Sequence, residues 1–234
     1  MRKTGLCLTL AALLLCVLAP SDAAAQSLEL GARFFYGMAA GTTNVSGRSG
    51  ELDAASGAGL VLNAYLVDLG KVRLGLSTGL EAVNLNYIFY QPLTVEGNDT
   101  ELKAVAKYHY AVIPVAVRTA IELNERLDLT IDLGANFGFF LWGLSHNTWD
   151  PELPFYDLIA KTETLDSGNT PEMDIAARLL IGLDFEVADG LLLSPGLMFD
   201  WGFTDNTLDV QYIPHAYDTF WKLVGVVTLG FRLM

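Results

Sequence analysis

Apolar side chains recur at every second position along most of this chain, a period that belongs to extended strands and not to helices. Between residues 127 and 141, Leu127, Leu129, Ile131, Leu133, Ala135, Phe137, Phe139 and Leu141 alternate with Asp128, Thr130, Asp132, Gly134, Asn136 and Gly138. Residues 28–38 set Leu28, Leu30, Ala32, Phe34, Tyr36 and Met38 against Glu29, Gly31, Arg33, Phe35 and Gly37. Leu60, Leu62, Ala64 and Leu66 oppose Gly59, Val61, Asn63 and Tyr65, and the pattern repeats over 72–82 and 174–186. Two further strands run over about 191–203 and 220–233. Residues 106–120 alternate least clearly, which leaves their facing open.

That makes eight strands of ten or more residues, the length a tilted strand needs to cross a bilayer. Their connections alternate in length. Residues 68–71, 122–126 and 188–190 are tight turns, whereas 41–56, 88–103, 143–172 and 204–216 are long and polar. Short and long connections in strict alternation, with both termini on the short side, predict an eight-stranded antiparallel transmembrane β-barrel of up-and-down topology, an all-β fold. A soluble sandwich or lipocalin would bury its apolar face inward. Here the second face carries Gly, Asp, Arg, Glu and Asn, which suits a barrel lumen, and closure leaves no unpaired strand edge in lipid.

Hydrophobic residues make up 52% of the chain and mean hydropathy is +0.36. Past the first twenty residues, though, no apolar run approaches the roughly 18 residues of a membrane helix. Those first residues read as a secretory signal peptide. Arg2 and Lys3 precede an apolar stretch from Leu8 to Leu18, and Ala23-Ala24-Ala25 offers a small-residue cleavage site. The expected organisation is therefore a leader over 1–25 and a barrel domain over 26–234. Cysteines Cys7 and Cys16 both lie in the leader, so the processed protein has no disulfide or thiol chemistry. Cleavage also removes two basic residues and one acidic residue, deepening the formal net charge from −13 to −14. A chain so acidic, without a basic stripe, is a poor partner for nucleic acid.

Aromatic residues cluster near the strand ends beside the long connections: Phe34, Tyr36, Tyr87, Phe89, Tyr108, Tyr110, Phe137, Phe139, Trp142, Phe199, Trp201, Phe203, Phe220 and Trp221. The expectation is an interfacial aromatic girdle. Several short motifs then carry a family likeness. Tyr110-Ala111-Val112-Ile113-Pro114-Val115, Asp132-Leu133-Gly134-Ala135, Ile181-Gly182-Leu183-Asp184-Phe185, Trp201-Gly202-Phe203-Thr204-Asp205 and the closing Leu229-Gly230-Phe231-Arg232-Leu233 resemble, in order and spacing, the small outer-membrane β-barrel family called porin-like or PorT-like. The chain departs from that pattern at Val112, where the family usually has Glu, and at its end, where Leu233 and Met234 stand in place of a terminal aromatic. The resemblance implies an eight-stranded barrel in a bacterial outer membrane, inserted by the barrel-assembly machinery. It implies little about activity, although some members are linked to protein secretion.

Candidate chemistry lies in two places. The inward set Glu29, Arg33, Arg73, Glu81, Asp132, Arg178, Asp184 and Asp200 mixes both signs, and an eight-stranded barrel is only wide enough for side chains to fill. The expectation is a lumen of paired charges rather than a pore. The long connections hold 13 acidic residues against the basic Arg48, Lys103 and Lys161, so most of the acidity sits outside the membrane. Asp150, Glu152 and Asp157 are candidate cation ligands, although no fixed-register metal motif contains them. For catalysis there are only His109, Ser145-His146 with Asp150, and His215 with Asp218, none within a nucleophile elbow or metal motif. No phosphate-binding loop or cofactor motif occurs. The reading is a non-enzymatic integral outer-membrane barrel, structural or surface-binding, surrounded by lipid and lipopolysaccharide. The alternatives are a rim-sited hydrolase or acyltransferase and an accessory subunit of a secretion assembly.

Overall fold

The computed structural model describes residues 27–43, 47, 49–95, 97–148, 162–165, 173–204 and 218–233. The proposed leader, the cation candidates Asp150, Glu152 and Asp157, and His215 lie outside them. Ten strands are present among the described residues: β1 (Ser27–Thr43), β2 (Ser49–Glu51), β3 (Asp53–Asp68), β4 (Val72–Val95), β5 (Asn98–Asn124), β6 (Leu127–Thr148), β7 (Thr162–Leu165), β8 (Met173–Ala188), β9 (Leu191–Gly202) and β10 (Asp218–Arg232). Eight are long staves, each antiparallel to its neighbours. β1 pairs with both β3 and β10, and the pairing of β4 with β5 completes the ring. The short β2 adds to β4, and β7 adds to the outer end of β6.

The register fixes the barrel's shape. A circuit of paired residues runs Glu29, Asn63, Ser77, Ala116, Gly134, Arg178, Asp200, Lys222 and back to β1 at Ala39, ten residues beyond its start. With strands roughly 4.8 Å apart and a rise of roughly 3.3 Å per residue, that stagger tilts the strands by about 40° and gives a radius of about 8 Å. A lumen that narrow is crossed by single side chains.

Facing follows the expected alternation. Leu30, Phe34, Tyr36, Leu60, Leu80, Leu133, Ile181, Leu197 and Val227 point outward and are exposed, Tyr36 by 70% and Leu133 by 63%. Their partners in alternation, among them Glu29, Arg33, Asn63, Glu81, Asp132, Arg178 and Asp184, are buried inside. The outward apolar stripe of β1, from Leu28 to Met38, rises about 25 Å along a strand so tilted, which matches the apolar band of outer-membrane barrels. The open facing of residues 106–120 resolves with Tyr108, Tyr110, Val112, Ala116 and Arg118 inward.

Three expected connections are corrected. The first is shorter than 41–56, because β1 runs to Thr43, β3 begins at Asp53 and β2 lies between them. Residues 88–103 form no long loop: β4 and β5 continue as a paired hairpin from Ile88↔Val105 to Val95↔Asn98, turning through Gly97 at φ 84°. Likewise β6 continues past Gly143 to Thr148 and pairs with β7, so the third connection is shorter than 143–172. Both extensions fall on one side of the ring, where β4, β5 and β6 stand taller than β9 and β10.

Candidate functional site

Charged side chains climb the lumen from the short-turn end as one connected ladder. At its foot, Arg232 binds Glu29 at 3.2 Å and Glu186 at 3.1 Å, while Arg73 pairs with Asp128. Tyr65 joins this foot to the next rung. The Arg73 guanidinium lies 4.5 Å from its ring centroid, and its hydroxyl accepts from Arg118 Nε at 2.8 Å. Arg118 then grips Asp132 at 2.9 Å and Asp184 at 2.6 Å. Arg33 spans to the middle rung, 4.0 Å from Asp132 and 3.1 Å from Glu81. There Arg178 donates to both oxygens of Glu81 at 2.9 Å, and to Asp200 through Nε and Nη2 at 3.0 Å. Lys222 reaches Asp200 at 2.9 Å, and Asn136 Nδ2 donates to the same carboxylate at 2.7 Å. Forked guanidiniums suit this role because each spans two carboxylates in fixed geometry.

All eight sequence-predicted lumen residues, Glu29, Arg33, Arg73, Glu81, Asp132, Arg178, Asp184 and Asp200, thus lie in one network. Sequence reasoning missed Arg118, Asp128, Glu186, Lys222 and Arg232, which complete its ion pairs. The available signal was phase: a charge within a membrane-crossing strand must face inward whatever the hydropathy of its neighbours.

Above the ladder the lumen turns aromatic. Tyr87 stacks on Phe220 with centroids 3.6 Å apart, and Tyr108 packs against both at 5.7 and 5.8 Å. Tyr110, Phe140 and Phe89 complete the roof. This corrects the expected girdle. Tyr87, Phe89, Tyr108, Tyr110 and Phe220 are buried inside the barrel, because their odd or even positions continue the inward phase of β4, β5 and β10. The outward aromatic residues include Phe34, Tyr36, Trp142, Trp201 and Phe203, with Phe199 packed beside Trp201 and Trp221 paired with Trp201 across β9 and β10. Among the described residues the lumen holds a cavity of about 30 Å³ beneath the roof and one of about 20 Å³ beside Arg118. A wider vestibule of about 170 Å³ opens at the short-turn end among Arg73, Asp128, Glu186 and Arg232.

An apolar, lipid-high outer surface around a charged interior, in a closed ring, decides the class of molecule. The fold is that of a small outer-membrane β-barrel. It spans a bacterial outer membrane. No protein-family model and no curated protein matches the chain. Among solved structures, the outer membrane protein OprG from Pseudomonas aeruginosa is similar over 90% of this chain and 97% of its own, at 11% identity and a TM-score of 0.49. Ail, the attachment invasion locus protein of Yersinia pestis, is similar over 88% and 98%, at 13% identity and a TM-score of 0.36. Outer membrane protein AlkL, determined in DMPC lipid bilayers, is similar over 92% and 94%, at 14% identity and a TM-score of 0.39.

Of the catalytic candidates, the described residues include His109, Ser145 and His146, whereas Asp150 and His215 lie outside them. Ser145 is buried on the inner face of β6, whereas the adjacent His146 points outward, so the two cannot share a proton. His109 also faces outward, its ring stacked on Trp142 at 3.5 Å and bonded to Asn84. No cluster of metal-binding side chains occurs among the described residues.

Proposed function

We propose that this barrel is a closed, non-enzymatic element of the outer membrane, whose working surface is its acidic extracellular side. The observation that carries this is the succession of side chains crossing the lumen, from the Arg232 foot through Arg178 to the Tyr87–Phe220 stack, with only small cavities between them. A radius of about 8 Å leaves no room for solute beside such side chains. With transport through the wall closed off, contact with other molecules falls to the outside. The belt meets lipid and lipopolysaccharide, the barrel-assembly machinery acts during insertion, and the extracellular connections meet whatever approaches the cell. Their acidity favours cationic or cation-bridged partners. No cofactor enters this account.

The test replaces residues 149–161 and 166–172, with β7 between them, by a short turn from Thr148 to Met173. The barrel should stay heat-modifiable and protease-resistant, because its ring is closed by β1, β3–β6 and β8–β10 alone. Cross-linking in intact outer membranes should then lose the contacts seen with the full chain. Retention of every contact would refute the surface role, and failure to assemble would place the third connection in the folding core.

A further inference from the structure

Three polar atoms just above the ladder have no hydrogen-bond partner among the described residues: the hydroxyls of Tyr87 and Tyr110, and Oδ1 of Asn136. All three residues line the same cavity of about 30 Å³ beneath the roof. They are deeply buried, with exposures of 1%, 2% and 5%. A native interior rarely leaves one such group unpaired, because each then bears its full desolvation cost. Three around one cavity form a set. Its polarity is defined, since Asn136 Nδ2 already donates to Asp200, which makes the free amide atom an acceptor. Each phenol has a hydrogen to give.

We propose that this cavity is a binding site for an ordered water, which accepts from the Tyr87 and Tyr110 hydroxyls and donates to Asn136 Oδ1. The Asp174 carboxylate, in the same lining, is an acceptor for its second hydrogen. Size and charge both select water. A buried water needs about 10–15 Å³ of such volume and two to four polar partners. The cavity admits one or two waters and no larger solute. The charges in the lining are already engaged, Lys222 and Asp200 with each other at 2.9 Å and Asp174 with a partner of its own, so none calls for a counter-ion. An apolar occupant would leave all three atoms unpaired. The bound water ties the aromatic roof to the top rung of the ladder.

Removing one hydroxyl while keeping its ring gives a test that turns on sign. If the water is present, Tyr110→Phe and Tyr87→Phe should each lower the folding equilibrium constant by about fivefold, the loss of one net hydrogen bond. If the hydroxyls are unpaired, the same substitutions remove a penalty and the constant should stay level or rise, which would overturn the proposal. The unaltered protein supplies a second reading that no folding defect can obscure. A crystal structure near 1.5 Å should show a water within hydrogen-bonding distance of all three atoms, and a dry cavity would refute the site.

Discussion

Arg178→Met removes the pivot of the lumen while preserving most of its volume. The guanidinium makes two hydrogen bonds to Glu81 at 2.9 Å and two to Asp200 at 3.0 Å, with all three side chains almost fully buried. Breaking a buried pair by removing one partner costs about 3–5 kcal/mol, chiefly because a desolvated charge is left behind. Here each carboxylate keeps a second partner, Arg33 on Glu81 and Lys222 on Asp200, which places the expectation near the low end. The predicted loss is about 3 kcal/mol, or roughly a hundredfold in the folding equilibrium. The comparison is Arg73→Met at the short-turn mouth, where the side chain is 19% exposed. Solvent screens that pair, so its loss should cost about 1 kcal/mol or less. Urea unfolding of both variants in the same lipid bilayers measures the difference. Equal losses, or a larger loss at Arg73, would refute the reasoning that the middle rung is the desolvated one.

Other expectations follow from facing and close contact. Leu133→Arg puts a charge into lipid near mid-stripe and should cost about 2–4 kcal/mol in bilayer unfolding. Gly41→Ala would place a methyl 2.4 Å from the ring tip of Phe89, which reaches across from β4. It should destabilise by about 1–3 kcal/mol. In a Phe89→Ala background the same substitution should be nearly neutral, and persistence of the full cost there would show that the ring is not the obstacle. Phe220→Ala should cost about 3–5 kcal/mol, because it removes the ring on which Tyr87 stacks, and thermal unfolding in detergent reads it.

The staves were legible because lipid and lumen impose opposite chemistry on alternate residues. Leu133 and Asp132 could not exchange faces without burying an apolar chain in the charge network and exposing a carboxylate to lipid. The aromatic roof was not legible on the same rule. Tyr87, Tyr108 and Phe220 are apolar residues that face inward, so position near a strand end suggested the girdle, and only unbroken phase with Glu81, Arg118 and Lys222 would have placed them inside. Arg118 was missed for a related reason. Its strand carries apolar residues on both faces, Val115 and Val117 outward and Val112 and Ala116 inward, so hydropathy alternation vanishes just where the charge stands. The extended β4–β5 hairpin was hidden by polarity, since outside the membrane both faces of a strand meet water and the period fades.

The central claim is that the lumen is closed from the Arg232 foot to the Tyr87–Phe220 roof, and single-channel recording of the purified protein in planar bilayers tests it most directly. The account predicts a flat baseline, with no stable conductance steps across the physiological range of voltage. Long-lived, uniform steps from protein shown to be folded and heat-modifiable would contradict it, because ions cannot pass a barrel whose backbone radius is about 8 Å while these side chains remain where they are.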